Sequence, residues 1–248
     1  MTADLATPCV SHETLHALHD ASVGEAPSEM APAMALALTG SFGSVERWRE
    51  QFTAMARSLG ASGEGWLLVV FVARTGMLVN RWAPDPVHGF ADGVPILAFD
   101  MDDLPPRIAK GADGEALIDG FVAHIAWDPV YARYQAAVDA ATESLAVDAT
   151  AVDTARSTIL DVRRCAVFEQ AATMLPGARW RDPAHVADWA AELPRDQTVL
   201  VYCVYGHEVG RSTALKLRAL GVPARFIAGG MAGWAAAELP VDSKEPTR

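Results

Sequence analysis

The chain is poor in cysteine: Cys9, Cys165 and Cys203 are the three thiols in 248 residues. Three cannot build a disulfide scaffold, so stability must come from packed cores. No basic stripe occurs, and 20 Lys and Arg against 31 Asp and Glu leave a net charge of −11. That balance argues against general nucleic-acid binding, which draws on cations at phosphates. The longest apolar run, Trp66 to Ala73, is one buried strand long and far short of a membrane span. The acidic N-terminus MTADLATPCVSHETLH lacks the apolar segment of a signal peptide. The expected location is the cytoplasm, where thiols stay reduced. No internal repeat is present.

What is present is unevenly placed. Residues 1–150 hold 8 Lys and Arg against 20 Asp and Glu, whereas residues 151–248 hold 12 against 11. The charge steps from −12 to +1 near residue 150, which suggests two domains rather than one. Hydrophobic content of 51% with 21% charged residues is that of a globular chain.

The first half reads as helices, then strands, then helix. Residues 12–20 and 26–38 have helical character. Ser44 is placed to cap a helix in which Val45, Trp48, Phe52, Met55 and Leu59 share one face, with Gly60 beyond its end. GEGWLLVVFVA and MLVNRW, joined at Thr75-Gly76, read as a hairpin, and GVPILAFDM as a third strand ending in Asp100. Residues 115–145 read as one helix. This order predicts an α+β domain over residues 1–145 with a three-stranded antiparallel sheet. Residues 146–155, rich in Ala, Asp and Thr, read as a linker.

After the linker the pattern changes. TILDVR is a short strand, residues 183–193 a helix with Pro183 at its start, TVLVYC a buried strand, GRSTALKLRALG a helix and ARFIAGG a strand. Strand and helix alternate, which predicts a parallel α/β sheet over residues 156–240, with 241–248 as a tail.

Cys203 stands where a buried strand gives way to a loop and helix. Ligands of open α/β sheets sit beyond strand carboxyl ends, and such a loop directs successive N–H groups inward. Those amides favour an anion and are expected to lower the thiol pKa of Cys203. The alternative is a buried structural cysteine. Cys165 has no comparable setting.

Here the chain resembles the rhodanese family. The resemblance rests on Asp161-Val162-Arg163, Pro176-Gly177-Ala178, VLVYC followed by Gly206, and the closing GGMAGW, Gly229 to Trp234. It implies sulfur transfer through a persulfide on Cys203, with a sulfane-sulfur donor and a thiol acceptor as partners. Val204, Tyr205, Gly206, Glu208 and Val209 would line the anion cradle, and Arg211 and His207 would give electrostatic help. Glu208 stands in a loop where many members keep an Arg, and should disfavour thiosulfate. Related phosphatases and arsenate reductases need Cys-x5-Arg, whereas the spacing here is Cys-x7-Arg.

Residues 40–127 are similar to the C-terminal part of iron/manganese superoxide dismutases, through GSFGSVERWREQFTAMARSLGASGEGWLLVV, GVPILAFDM and HIAW. The family binds its metal with three His and one Asp. In that register Asp100 matches the Asp ligand, Leu104 replaces the last His, and Asp102 replaces an aromatic residue. His16 best matches the second ligand, with His12 and His19 beside it. Only 15 residues precede His16, so the helix bearing the first is expected to be missing. His88 and His124 have no partner in the sequence. Pro105-Pro106 is expected to break the helix that would start there. At most His16 and Asp100 survive, as a vestigial pair, with an N-capping role for Asp100.

Three functions therefore compete. One is a sulfurtransferase carrying a dismutase-like frame that packs around Trp48, Phe52, Trp66 and Trp127 and dimerises. The second is a dismutase with an accessory domain, which needs iron or manganese; the first needs no cofactor. The third is a non-enzymatic persulfide or anion sensor. The acidity of the first half should repel superoxide, which weighs against the second.

Overall fold

The computed structural model describes residues 11–59, 64–84 and 93–244. It divides into two compact units, one of Met1–Val72 with Leu78–Tyr134, the other of Ala73–Met77 with Gln135–Arg248. Cys9, Gly60 and His88 lie outside the described residues. Among the described residues no helix is long and apolar enough to cross a membrane.

In the first unit, α1 (His12–Asp20) is capped by Ser11, whose Oγ accepts from the Thr14 N–H at 3.1 Å. α2 (Pro32–Phe42) starts on a proline, later than the 26–38 segment reads. α3 (Val45–Leu59) is capped as expected, with the Arg47 N–H donating to Ser44 Oγ at 3.0 Å. Its periodic face buries Trp48 and Phe52 completely. β1 (Trp66–Val72), β2 (Met77–Ala83) and β3 (Val94–Asp100) form a sheet in the order β2-β1-β3, with β1 antiparallel to β3. β1 is central and buried along its whole length, which explains its unbroken apolar sequence.

Two expectations fail here. Pro105 and Pro106 do not break a helix; they occupy the first turn of α4 (Leu104–Ala109), where no intrahelical N–H is needed. The single helix over 115–145 is two helices, α5 (Gly114–Ala123) and α6 (Trp127–Thr142). The break is tertiary in origin. The His124 carbonyl accepts from Gly24, the Ala126 N–H donates to Ser22, and Val23 bridges Ile125. Nothing in the local sequence encodes that pairing. The dismutase-like frame is a true core: Trp48, Phe52, Trp66 and Trp127 are all buried, and Trp48 meets Trp127 edge-on at 5.4 Å.

In the second unit the chain runs through β4 (Ala146–Val147), β5 (Thr158–Asp161), α7 (Cys165–Gln170), β6 (Thr173–Met174), β7 (Arg179–Trp180), α8 (Val186–Trp189), β8 (Val199–Tyr202), α9 (Glu208–Ala219), β9 (Ala224–Ile227), α10 (Gly230–Ala236) and β10 (Asp242–Ser243). A five-stranded sheet in the order β4-β9-β8-β5-β7 is parallel throughout. Its first strand falls in the segment read as a linker. The helix expected over 183–193 is only α8 and a following 3₁₀ turn. β8 alternates as a strand buried on both faces must: Val199 and Val201 pack with α8 and α9, Leu200 and Tyr202 with Trp234.

Candidate active site

Cys203 follows β8, the middle strand of the sheet, so its thiol lies beyond a strand end in the centre of the carboxyl edge. Only Val204 to His207 separate it from α9. So short a reversal needs a left-handed residue, and Gly206 supplies it at φ +69°. A Cβ there would stand 2.6 Å from the Gly229 nitrogen, while one on Gly230 would strike the Cys203 carbonyl. The loop thus lies backbone to backbone on the start of α10. The Met231 and Ala232 N–H groups donate to the carbonyls of Cys203 and Val204 at 2.9 and 2.8 Å. GGMAGW is therefore the floor of the loop, pinned by buried Trp234, which donates to the Pro240 carbonyl at 2.8 Å.

Cys203 is 5% exposed. Burial raises its pKa, and the backbone amides of Gly210, Gly206, Tyr205 and His207 pull it down. The net direction is upward, contrary to the lowering expected from the loop alone. The amide cradle is present, and desolvation of the sulfur outweighs it. Sequence reasoning misses Gly210. A Cβ at that position would sit 3.4 Å from the sulfur, so glycine lets the first turn of α9 close over the thiol.

The other expected site residues divide. Tyr205 and His207 are exposed at the mouth with their rings 5.7 Å apart. Val209 is buried and its carbonyl accepts from Thr213 Oγ1 at 2.8 Å. Glu208 is buried in the first turn of α9, and Gln135 Nε2 donates to its Oε2 at 3.1 Å. Arg211 does not reach toward an anion at the mouth. Its Nε donates to the Gly206 carbonyl at 2.8 Å and lies 3.2 Å from Asp139 Oδ1, and its Nη1 donates to Thr142 Oγ1 at 3.3 Å. Cys165 is exposed, and its hydrogen bond to Glu169 holds its thiol above the usual range.

Asp161, Val162 and Arg163 are buried at the end of β5. Arg163 Nε donates to both Asp161 oxygens at 2.9 Å, and its Nη2 also donates to the Thr173 carbonyl at 2.9 Å. This motif builds the floor beside Tyr202 rather than the reacting surface.

In the first unit His16 Nδ1 lies 3.2 Å from Asp100 Oδ2, so the two expected ligand positions do meet. Burial holds the Asp100 carboxyl above its ordinary value, against the Asp102 amide and His16, which act to lower it. Asp100 Oδ1 accepts from the Asp102 N–H at 2.9 Å, a turn-capping contact. Asp102 Oδ1 accepts from the Gly65 N–H at 2.8 Å. His12 is no closer than a ring separation of 6.4 Å from His16. His19 stacks on Phe121, and its Nδ1 accepts from the Asp100 N–H at 3.3 Å. His124 Nδ1 lies 2.8 Å from the Gly120 carbonyl. Leu104 is 2% exposed. Among the described residues no group of three or more His, Cys, Asp or Glu side chains is arranged to hold a metal.

Comparison with known proteins agrees with both halves. A family model described as rhodanese-like domain matches residues 146–237, and one for the C-terminal domain of iron/manganese superoxide dismutases matches residues 30–133. The chain therefore joins a dismutase C-terminal-type domain to a rhodanese-like domain. It is 41% identical over 124 residues to superoxide dismutase [Fe] of Cupriavidus metallidurans, covering 50% of this chain and 62% of that one. It is 30% identical over 131 residues to superoxide dismutase [Mn] 1 of Halobacterium salinarum, covering 52% and 64%. The chain thus spans less than two thirds of either relative. Among solved structures, a full-length protein from Lactobacillus plantarum aligns with a TM-score of 0.37 at 28% identity, over 41% of this chain and 90% of that one.

Proposed function

We propose that the C-terminal domain is a sulfurtransferase with Cys203 as its nucleophile. The observation that supports it is the seat of the thiol beyond the end of β8, packed so closely on Gly210 that a Cβ there would lie 3.4 Å from the sulfur, with the amides of Gly210, Gly206, Tyr205 and His207 acting to lower its pKa. In the first step the Cys203 thiolate attacks the outer sulfur of thiosulfate. A new S–S bond forms, the donor S–S bond breaks, and sulfite leaves with the electron pair. In the second step a thiol attacks the outer sulfur of the Cys203 persulfide. The acceptor leaves as a persulfide and the Cys203 thiolate is regenerated. The amides stabilise the terminal anionic sulfur between the two steps. Mass spectrometry of Cys203 after thiosulfate or glutathione persulfide should show a gain of one sulfur that is lost on adding a thiol. A wild-type protein that never gains sulfur from either donor rules this reading out.

For the N-terminal domain the same reading is a packing frame that pairs two copies of the chain and carries out no dismutation. His16 and Asp100 are two donors, whereas a redox-active iron or manganese centre needs a larger imidazole and carboxylate set with fixed geometry. Leu104 has no lone pair to add. The competing reading, a working dismutase, draws on the identity to superoxide dismutase [Fe]. Metal analysis with a dismutase assay on one preparation separates the two.

A further inference from the structure

We propose that Arg211 is a positioning residue for Cys203, and that Asp139 and Thr142 on α6 hold it in place. The proposal rests on the sulfurtransferase reading for its consequence. Its geometry begins with the peptide between Gly206 and His207. A trans peptide is planar, with its C=O and N–H pointing in opposite directions. The Gly206 carbonyl is one end of that plate and the His207 N–H is the other. Arg211 Nε grips the carbonyl at 2.8 Å. The plate leads into His207, whose carbonyl accepts from Cys203 Sγ at 3.9 Å, and the His207 N–H acts to lower the thiol pKa. Fixing one end fixes the other. A cation on the carbonyl also polarises the amide and makes its N–H a stronger donor.

Arg211 is itself over-determined. Asp139 Oδ1 lies 3.2 Å from its Nε, Thr142 Oγ1 is 3.3 Å from its Nη1, and its guanidinium lies 4.4 Å from the centre of the Phe226 ring. One turn before Asp139 on the same helix, Gln135 holds Glu208. The segment 135–142 lies outside the residues that match either family model. The titratable and charged side chains on the surrounding elements are Asp139 on α6, Glu208 and Arg211 on α9, Tyr205 and His207 in the loop, and Tyr202 on β8. Without Asp139 the guanidinium keeps its stacking on Phe226 but loses the counter-charge that aims its Nε.

The test is the alkylation of Cys203 by iodoacetamide in the full chain from about pH 6 to about pH 10, spanning the ordinary thiol range. Peptide mass spectrometry resolves Cys203 from Cys9 and Cys165, and sulfur uptake from thiosulfate is measured in parallel. Asp139 is 56% exposed, so Asp139→Asn should fold normally. It should slow alkylation about threefold at neutral pH and move the profile to higher pH, as suits a partly exposed ion pair. Asp139→Glu should restore the wild-type profile. Arg211→Lys, which lacks the planar fork, should slow alkylation about tenfold. Profiles that superimpose on wild type overturn the proposal, as does equal slowing in Asp139→Glu and Asp139→Asn. Shifted profiles in a protein that never takes up sulfur support the positioning and overturn only the sulfurtransferase reading.

Discussion

Tyr202, the last residue of β8 and the one before Cys203, donates its hydroxyl to Asp161 Oδ2 at 2.7 Å. The Tyr202 hydroxyl in turn accepts from the Leu175 N–H at 3.2 Å. Burial, aided by the Asp161 charge, pushes this phenol well above its ordinary pKa, so it stays a donor at every working pH. The strand end that carries Cys203 is thereby tied to β5 through a buried carboxylate that also faces Arg163.

Removing that carboxylate should cost far more than removing the hydroxyl. Asp161→Asn leaves the Arg163 guanidinium buried without its counter-charge, at a cost of about 3–5 kcal/mol. Tyr202→Phe loses both hydrogen bonds of the hydroxyl, leaving Asp161 one donor short and the Leu175 N–H unpaired, at about 1–3 kcal/mol. Urea denaturation of the two variants checks the order. Equal losses would mean that the ion pair adds nothing to the hydrogen-bond network.

The glycines under the loop give a sharper test, because an internal control exists. Gly230→Ala drives a methyl into the Cys203 carbonyl at φ +55°, so sulfur uptake should be lost even where the fold survives. Gly177 has a similar φ of +68°, and a Cβ added there would meet no atom within 4 Å. Gly177→Ala should therefore cost only the left-handed penalty, about 1–2 kcal/mol, with uptake intact. If both variants lose uptake alike, backbone conformation and not the collision is responsible.

These two motifs show what the sequence could and could not convey. Strand alternation in TVLVYC and the glycines of GGMAGW encode local geometry, so the parallel sheet and the place of Cys203 were legible. The role of Gly210 was not, because a glycine inside a helix has no local signature of the sulfur it approaches. The resemblance gives Arg211 only a general electrostatic part beside Cys203. Its partners, Asp139 and Thr142, come from a helix about seventy residues earlier, and only the fold brings them together. The division of α5 from α6 was hidden for the same reason, being set by hydrogen bonds from residues 22–24.

The raised thiol pKa of Cys203 has two consequences for pH dependence. Below that pKa the thiolate fraction grows about tenfold per pH unit, so sulfur uptake should climb steadily from neutral to alkaline pH. Stability should move the other way. The native state holds its thiol proton to a higher pH than the unfolded chain, whose thiol titrates near 8.5. Above about pH 8.5 the unfolded state is the one that gains by ionising, so stability is full below that pH and falls above it. Denaturation curves of wild type and Cys203→Ser should converge in slope below about pH 8 and diverge above about pH 9, with wild type losing more. A difference between wild type and Cys203→Ser that stays flat would show that the amides cancel burial, and one that grows in favour of wild type with rising pH would show that they outweigh it.

At the dismutase-like site His16 is 56% exposed at its side chain while Asp100 is 10% exposed, so the pair is open on the imidazole side and closed on the carboxylate side. Asp100 already caps its own turn through the Asp102 N–H, and a metal would have to compete with that contact for the carboxylate. The frame around it depends on aromatic packing instead: Phe99 stacks on Phe121 at 4.3 Å and Phe121 on Phe52 at 6.2 Å. If the domain serves as a frame, Phe52→Ala should destabilise it by about 3–5 kcal/mol, as a large core cavity does. Asp100→Asn should cost under about 2 kcal/mol, since the amide oxygen can still cap the turn. Dialysis against a chelator should leave the melting temperature of wild type unchanged. A fall in melting temperature on chelation that iron or manganese reverses would mean that the metal is part of the folded domain, and the frame reading would then give way to a working centre.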